Sequence, residues 1–159
     1  MNNTFAATAA GLRQTVDHAQ PVLAKLSDSE VAVPRQPGKW SKKEILGHLL
    51  DSASNNHQRF VRAGLQGDLV FPGYEQDALV TLQRFGEMKW SFLLEFWAGY
   101  NRFLAHVISV LPAQSAGTTC VIGNNKPVTL GWIAQDYVEH LKHHLNQILG
   151  PTFPTAYGK

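Results

Sequence analysis

Asp136-Tyr137-Val138-Glu139-His140-Leu141-Lys142-His143-His144-Leu145 reads as helix and carries two histidines four positions apart. At that spacing both imidazoles project from one face, about one turn from each other. On a helical wheel Ile133, Tyr137, Leu141 and Ile148 form an apolar stripe that contains His144 and borders His140, so the pair points inward. A buried imidazole needs a partner for each ring nitrogen. One divalent ion held by two or three of them is one solution, and two core-edge histidines bonded to side chains or water is another. The pair alone does not choose between these.

Working outward, helical periodicity dominates the chain. Leu12, Val16, Leu23 and Leu26 place a first amphipathic helix over about Thr4 to Leu26, kinked at Pro21; Ser27-Asp28-Ser29 and Val33-Pro34-Arg35-Gln36-Pro37-Gly38 then break it. Ser41 with Glu44 three positions on is a capping box, opening a second helix that runs to about Leu65 before Gly67. A helical turn is expected around Glu75 to Arg84. A long helix follows from Glu87 to Leu111, closed by Pro112, with Trp90, Phe92, Phe96, Trp97, Tyr100 and Phe103 expected in the core. Between Thr118 and Val128, β-branched residues flank Gly123-Asn124-Asn125, the pattern of a short hairpin or irregular loop. Thr129 caps the last helix, which ends at Gly150-Pro151. The fold class expected is all-α, a four-helix bundle with a short hairpin or loop before the last helix, in one domain over residues 1–159; such bundles commonly build metal sites from facing helices.

Composition sets the outer bounds. A chain of 159 residues with 44% hydrophobic and 16% charged residues is ordinary for a globular protein. The net charge of +2 is scattered, with no basic run beyond Lys42-Lys43, so no nucleic-acid partner is expected. Apolar stretches are interrupted by charge or amide groups, and Met1-Asn2-Asn3-Thr4 lacks the start of a signal peptide, so neither a membrane partner nor export is expected. The expected location is the cytoplasm, in agreement with a lone cysteine, Cys120, that can form no internal disulfide. No Gly-x-Ser-x-Gly elbow, phosphate loop or dinucleotide fingerprint supports a serine hydrolase, nucleotide or Rossmann reading.

On the second helix His48, Asp51, Ser52, Asn55, Arg59 and Arg62 fall on one side and Leu46, Leu49, Leu50, Ala53 and Phe60 on another. Taken singly, Asn55, Arg59 and Arg62 read as a solvated polar face. The wider pattern is more specific. Trp40-Ser41 leading into Glu44-Ile45-Leu46-Gly47-His48-Leu49-Leu50-Asp51-Ser52, then Arg59-Phe60 and a late His-x-x-x-His helix, resembles the DinB-like superfamily and in particular its YfiT-like branch. The resemblance covers about Trp40 to Leu149 and includes the loop Gly73-Tyr74-Glu75-Gln76-Asp77. It implies a four-helix bundle in which one histidine of the second helix and two of the fourth bind a divalent metal; by position these are His48, His140 and His144. It also implies homodimers, and a reaction drawn from thiol S-transfer, isomerisation using a small thiol, or hydrolysis of a small-molecule substrate.

Three neutral imidazoles on a divalent ion leave coordination positions open, the arrangement of a catalytic site. Zinc or nickel suits all-nitrogen ligation better than manganese or iron, and a small thiol is a candidate co-substrate. Asp136 is placed to accept the free N–H of His140 and Asp51 that of His48, and each carboxylate could equally cap a salt link at the surface. Asn55 and Arg59, on the His48 side, and Tyr137, in the stripe, complete the candidate pocket. His143 is expected at the surface, His18, His57 and His106 in structural or surface roles, and Cys120 as a small buried hydrophobe rather than a ligand. Two other classes stay open: a metal-stabilised binding bundle without turnover, and a metal-free dimeric interaction module.

Overall fold

A computed structural model describes residues 4–157, so the Met1–Asn3 stretch read above for a leader lies outside them. The described chain forms α1 (Thr4–Leu23), α2 (Asp28–Ala32), α3 (Lys42–Leu65), β1 (Leu69–Phe71), α4 (Gln76–Gln83), α5 (Trp90–Val110), β2 (Thr119–Ile122), β3 (Val128–Thr129) and α6 (Leu130–Leu149). The long helices α1, α3, α5 and α6 make the bundle expected from the sequence. No helix among the described residues is long and apolar enough to cross a membrane.

Helix starts follow local chemistry. Ser41 Oγ accepts the Glu44 amide at 3.3 Å while Glu44 Oε2 accepts the Ser41 amide at 2.7 Å, the reciprocal box that opens α3. Thr129 accepts the Trp132 amide at the start of α6. A second box, Ser27 with Glu30, starts α2 inside the segment read as a break; only five helical residues follow, too few to register as a period. Helix α1 ends at Leu23 rather than Leu26, with Pro21 inside its last turn. Lys89 offers α5 no side-chain cap, and Asp28 of α2 serves instead, accepting the Trp90 amide at 3.2 Å and the buried Lys43 ammonium at 2.7 Å.

Each long helix packs on two others, α1 on α5 and α6, and α3 on the same pair. Helices consecutive in sequence, α1 then α3 and α5 then α6, therefore stand on the diagonals, and their connections, 24–41 and 111–129, cross the bundle ends. Side-chain pairs give the directions. Asp17 meets Arg102 and Leu23 meets Trp90, so α1 and α5 are antiparallel; His48 meets His144 and Phe60 meets Tyr137, so α3 and α6 are antiparallel. Lys43 reaches Met88 near one end and His57 reaches Tyr100 further along, so α3 and α5 run parallel.

This directionality accounts for the small sheet, of which the sequence suggested only the hairpin. The C-terminal ends of α3 and α5 share one bundle end, so β1 and β2, which leave them, pair in parallel, Val70 opposite Val121. β3 returns antiparallel and leads into α6. The sheet is closed by Gly123, whose φ of +58° suits glycine and whose amide donates to the Phe71 carbonyl at 2.8 Å.

The core departs from expectation on α5. Trp90 and Trp97 are buried as expected, but Phe92, Phe96 and Phe103 are 57%, 51% and 47% exposed, lying with Tyr100 as a stacked row on the outer face. Their spacing is helical, but it marks an outward stripe next to the inward one. Across the centre, Tyr137 of α6 donates to Asn101 Oδ1 of α5 at 2.5 Å, bracing one diagonal with a buried polar contact. Tyr137→Phe would leave that carbonyl unpaired in the core, so we expect a loss of about 1–3 kcal/mol, read as a melting temperature lower by roughly 2–4 °C per kcal/mol. An unchanged melting temperature would show that the brace contributes nothing.

Candidate metal centre

Because α3 and α6 are antiparallel neighbours, the start of α3 faces the second half of α6. His48 is fully buried there, and its Nε2 lies 3.3 Å from His140 Nε2, which lies 3.1 Å from His144 Nε2. One nitrogen from each ring falls within 4.8 Å of the other two. The structure thus brings together the three histidines singled out from the sequence. Cys120 is buried and lies outside this group.

Ring protonation can be read from the partners. Gln147 Oε1 lies 2.9 Å from His144 Nδ1 and Gln147 Nε2 lies 3.1 Å from His143 Nε2, and one amide orientation satisfies both. His144 then carries its proton on Nδ1 and turns the Nε2 lone pair inward. Burial, reinforced by His144, pulls the His48 pKa down to about 4; burial, then His144, His48 and His143, pulls that of His140 to about 3. His144 is lowered as well, chiefly by burial. All are neutral near pH 7, as a metal ligand must be. Three facing lone pairs repel unless protons or a cation lie between them, and the donor set fits a divalent ion. The buried Nδ1 atoms of His48 and His140 have no protein partner, so no protein group sets the tautomer of either ring.

Neither aspartate orients a ring. Asp51 is drawn to Gln83 of α4, whose Nε2 donates to Oδ1 at 2.7 Å, and it does not reach His48 Nδ1. Asp136 accepts the hydroxyl of Tyr157 and does not reach His140 Nδ1. Tyr157 arrives on a C-terminal segment strapped along α6, with the Ala156 amide on Glu139 Oε2 at 2.8 Å and Asn146 bonded to Phe153 both ways. That segment has no periodicity to announce it. Trp40 covers His48, ring centroids 5.0 Å apart, and His143 is half-buried beside Tyr157 rather than exposed.

The polar side of α3 is solvated at Arg62 but not along most of its length. His48, Asp51, Ser52, Asn56 and Arg59 are all buried. Asn56, absent from the sequence candidates, falls between Ser52 and Arg59 on the same face, and its Oδ1 accepts from Arg59 Nη1 at 3.2 Å. A cavity of about 310 Å³ is lined by Ser52, Asn56, Arg59, Tyr74, Asp136, Tyr137 and His140. A second, of about 620 Å³, opens on the other side at Trp40, Asp77, His144 and Gln147. The loop Gly73–Asp77 thus contributes to both mouths. Asn55 lies away from the histidines, in a neighbouring hollow with Arg62 and Tyr100, its amide donating to the Asp51 carbonyl at 2.9 Å.

Comparison with known proteins places the family. The sequence matches the DinB superfamily over residues 12–148. The chain belongs to the DinB superfamily. Among solved structures it is similar to YfiT from Bacillus subtilis, described as a probable metal-dependent hydrolase with an unusual four-helix bundle topology; the TM-score is 0.83 at 19% identity, covering 94% of this chain and 86% of that one. At that identity the likeness establishes the fold, and the diagonal arrangement above describes its topology in this chain. No curated protein matches the sequence significantly.

The depressed histidine pKa values carry a signed prediction for metal-free DinB-family protein of this sequence. From pH 6.5 downward the unfolded chain binds more protons than the folded one at His48 and His140, so their contribution to stability is present above pH 6.5 and is lost as the pH falls through about 4 towards 3. Melting temperatures of the metal-free parent should fall more steeply over that window than those of a His48→Gln, His140→Gln double variant. Parallel curves would contradict the burial of neutral rings.

Proposed function

We propose that this DinB-superfamily protein is a metal-dependent enzyme acting on a small molecule, with His48, His140 and His144 holding one divalent ion. The observation that carries the reading is the convergence of three neutral, largely buried Nε2 atoms from two helices. The fold likeness to YfiT, a probable metal-dependent hydrolase, supports it. All-nitrogen ligation favours zinc or nickel. When bound, the ion supplies Lewis acidity at an open coordination position, where water or a small thiol ionises more readily than in solution.

The chain's own groups do the rest. Gln147 fixes the His144 tautomer and so the direction of its lone pair. Burial holds the rings neutral, and Trp40 shields His48 from solvent. His140 borders one cavity and His144 the other, so a nucleophile and an electrophile have separate approaches to one centre. That arrangement supports hydrolysis and thiol S-transfer, the second using a small thiol as co-substrate. The exposed stacked row on α5 supports a homodimer. A free Cys120 accords with a cytoplasmic setting.

Protein purified without an affinity-metal step should contain about one zinc or nickel ion per chain, and chelation should lower its melting temperature because the ion cross-links α3 to α6. Assayed with small thiols and electrophilic acceptors, and on ester and amide hydrolysis, His144→Ala should lose metal and turnover together. Activity surviving in that variant at the parent rate would place the chemistry elsewhere. A metal-loaded parent inactive across the panel would favour a metal-stabilised binding bundle.

A further inference from the structure

Arg59 is a buried charge that makes no ion-pair contact among the described residues: it is only 8% exposed, and no carboxylate of theirs lies within 4 Å of it. A buried guanidinium ordinarily meets an acid, because its desolvation is otherwise uncompensated. Here one Nη1–H is used, on Asn56 Oδ1, and the fork has further donors to satisfy. The acid nearest in the electrostatic sense is Asp136, whose carboxylate is engaged by the Tyr157 hydroxyl instead.

The surroundings say what belongs there. Among the described residues Arg59 is the one Lys or Arg side chain lining the cavity that also contains His140, while Asp136 adds a carboxylate on another wall. The one guanidinium matches one negative charge on a ligand, and the Asp136 carboxylate keeps that charge to the Arg59 end; a phosphate dianion would meet too little positive charge and more repulsion. A planar fork matches a carboxylate bidentately. Ile122, Trp132 and Ile133 add apolar wall to the cavity, and a volume of about 310 Å³ limits the occupant to a small molecule. Ser52, Asn56 and Arg59 follow His48 along one face of α3, so the anchor and the histidine cluster stand at opposite ends of the same stripe.

We propose that this cavity binds a small organic monocarboxylate, held by Arg59 through its carboxylate with the remainder of the molecule directed along the α3 stripe towards His140. The anchor stands on Arg59 and the cavity; only the meaning of the inward end, as the part presented for reaction, rests on the metal-centre reading.

Binding to full-length protein tests it, by ligand-observed NMR and calorimetry, with benzoate and crotonate as probes, benzamide and crotonamide as neutral counterparts, and phenyl phosphate as the dianion. Both metal-free and zinc-loaded protein are measured. The carboxylates should bind at least tenfold more tightly than the amides and more tightly than phenyl phosphate, in both forms. Arg59→Met should remove that preference, and Arg59→Lys should retain part of it, since charge survives without the fork. Equal binding of acids and amides by the parent, preference for phenyl phosphate, or an acid preference unchanged in Arg59→Met would overturn the proposal. If Arg59→Met fails to fold, the acid-against-amide comparison on the parent and the Arg59→Lys value decide. Zinc titration of the same samples separates the two readings: carboxylate binding without zinc binding leaves the anchor standing and removes the metal centre, and zinc binding without carboxylate preference does the reverse.

Discussion

Three imidazole Nε2 atoms gathered inside a helical bundle are the constraint on which the rest of the structure turns. With the His144 proton on Nδ1 against Gln147, the Nε2 contacts of 3.1 and 3.3 Å are attractive only where a ring proton or a cation lies between the nitrogens. Hydrophobic packing supplies neither, and burial removes the water that otherwise would. A divalent cation would satisfy all three nitrogens at once. The helices that carry the rings are long, capped and packed on two neighbours each, so the backbone positions from which the rings project are fixed.

The bundle's topology explains why the centre has room beside it. Had consecutive helices been adjacent and antiparallel, short turns would have closed both ends. The parallel run of the neighbours α3 and α5 demands a connection that returns along the bundle, which supplies α4 and the Gly73–Asp77 loop, and the diagonal placement of α5 and α6 demands the crossing that carries the hairpin; these wall the two cavities. Parallel pairing of β1 with β2 locks the loop after α3 to the hairpin before α6, at the bundle end towards which the polar stripe of α3 runs. Asp51 and Asp136, each raised in pKa chiefly by burial, hold Gln83 of α4 and Tyr157 of the terminal strap. Their role is to fasten the pieces that surround the site.

Much of this was legible in the chain, for physical reasons that differ by element. Capping boxes and 3.6-residue periodicity are local, so α3, α5 and α6 were readable, and the i, i+4 spacing of His140 and His144 fixes their shared face whatever the tertiary structure. His48 needed a family pattern, because nothing local links it to residues on a helix so far along the chain. The pairing of α1 with α5, the parallel strand and the burial of Arg59 depend on long-range packing, to which a helical wheel is blind; a wheel finds a polar face and cannot say whether water or another helix covers it. The aromatics of α5 failed for the complementary reason. Helical spacing identified a stripe, and exposure of Phe92, Phe96 and Phe103 was decided by which neighbours were absent from that side.

The central claim, that the three Nε2 atoms enclose a divalent ion, is tested most directly by anomalous diffraction from crystals of the protein grown with zinc, collected above and below the zinc absorption edge. The account predicts an edge-dependent peak within about 2.0–2.1 Å of Nε2 of His48, His140 and His144 together. An edge-dependent peak bound elsewhere, or a fully ordered cluster with no peak and its rings joined only through water, would contradict it.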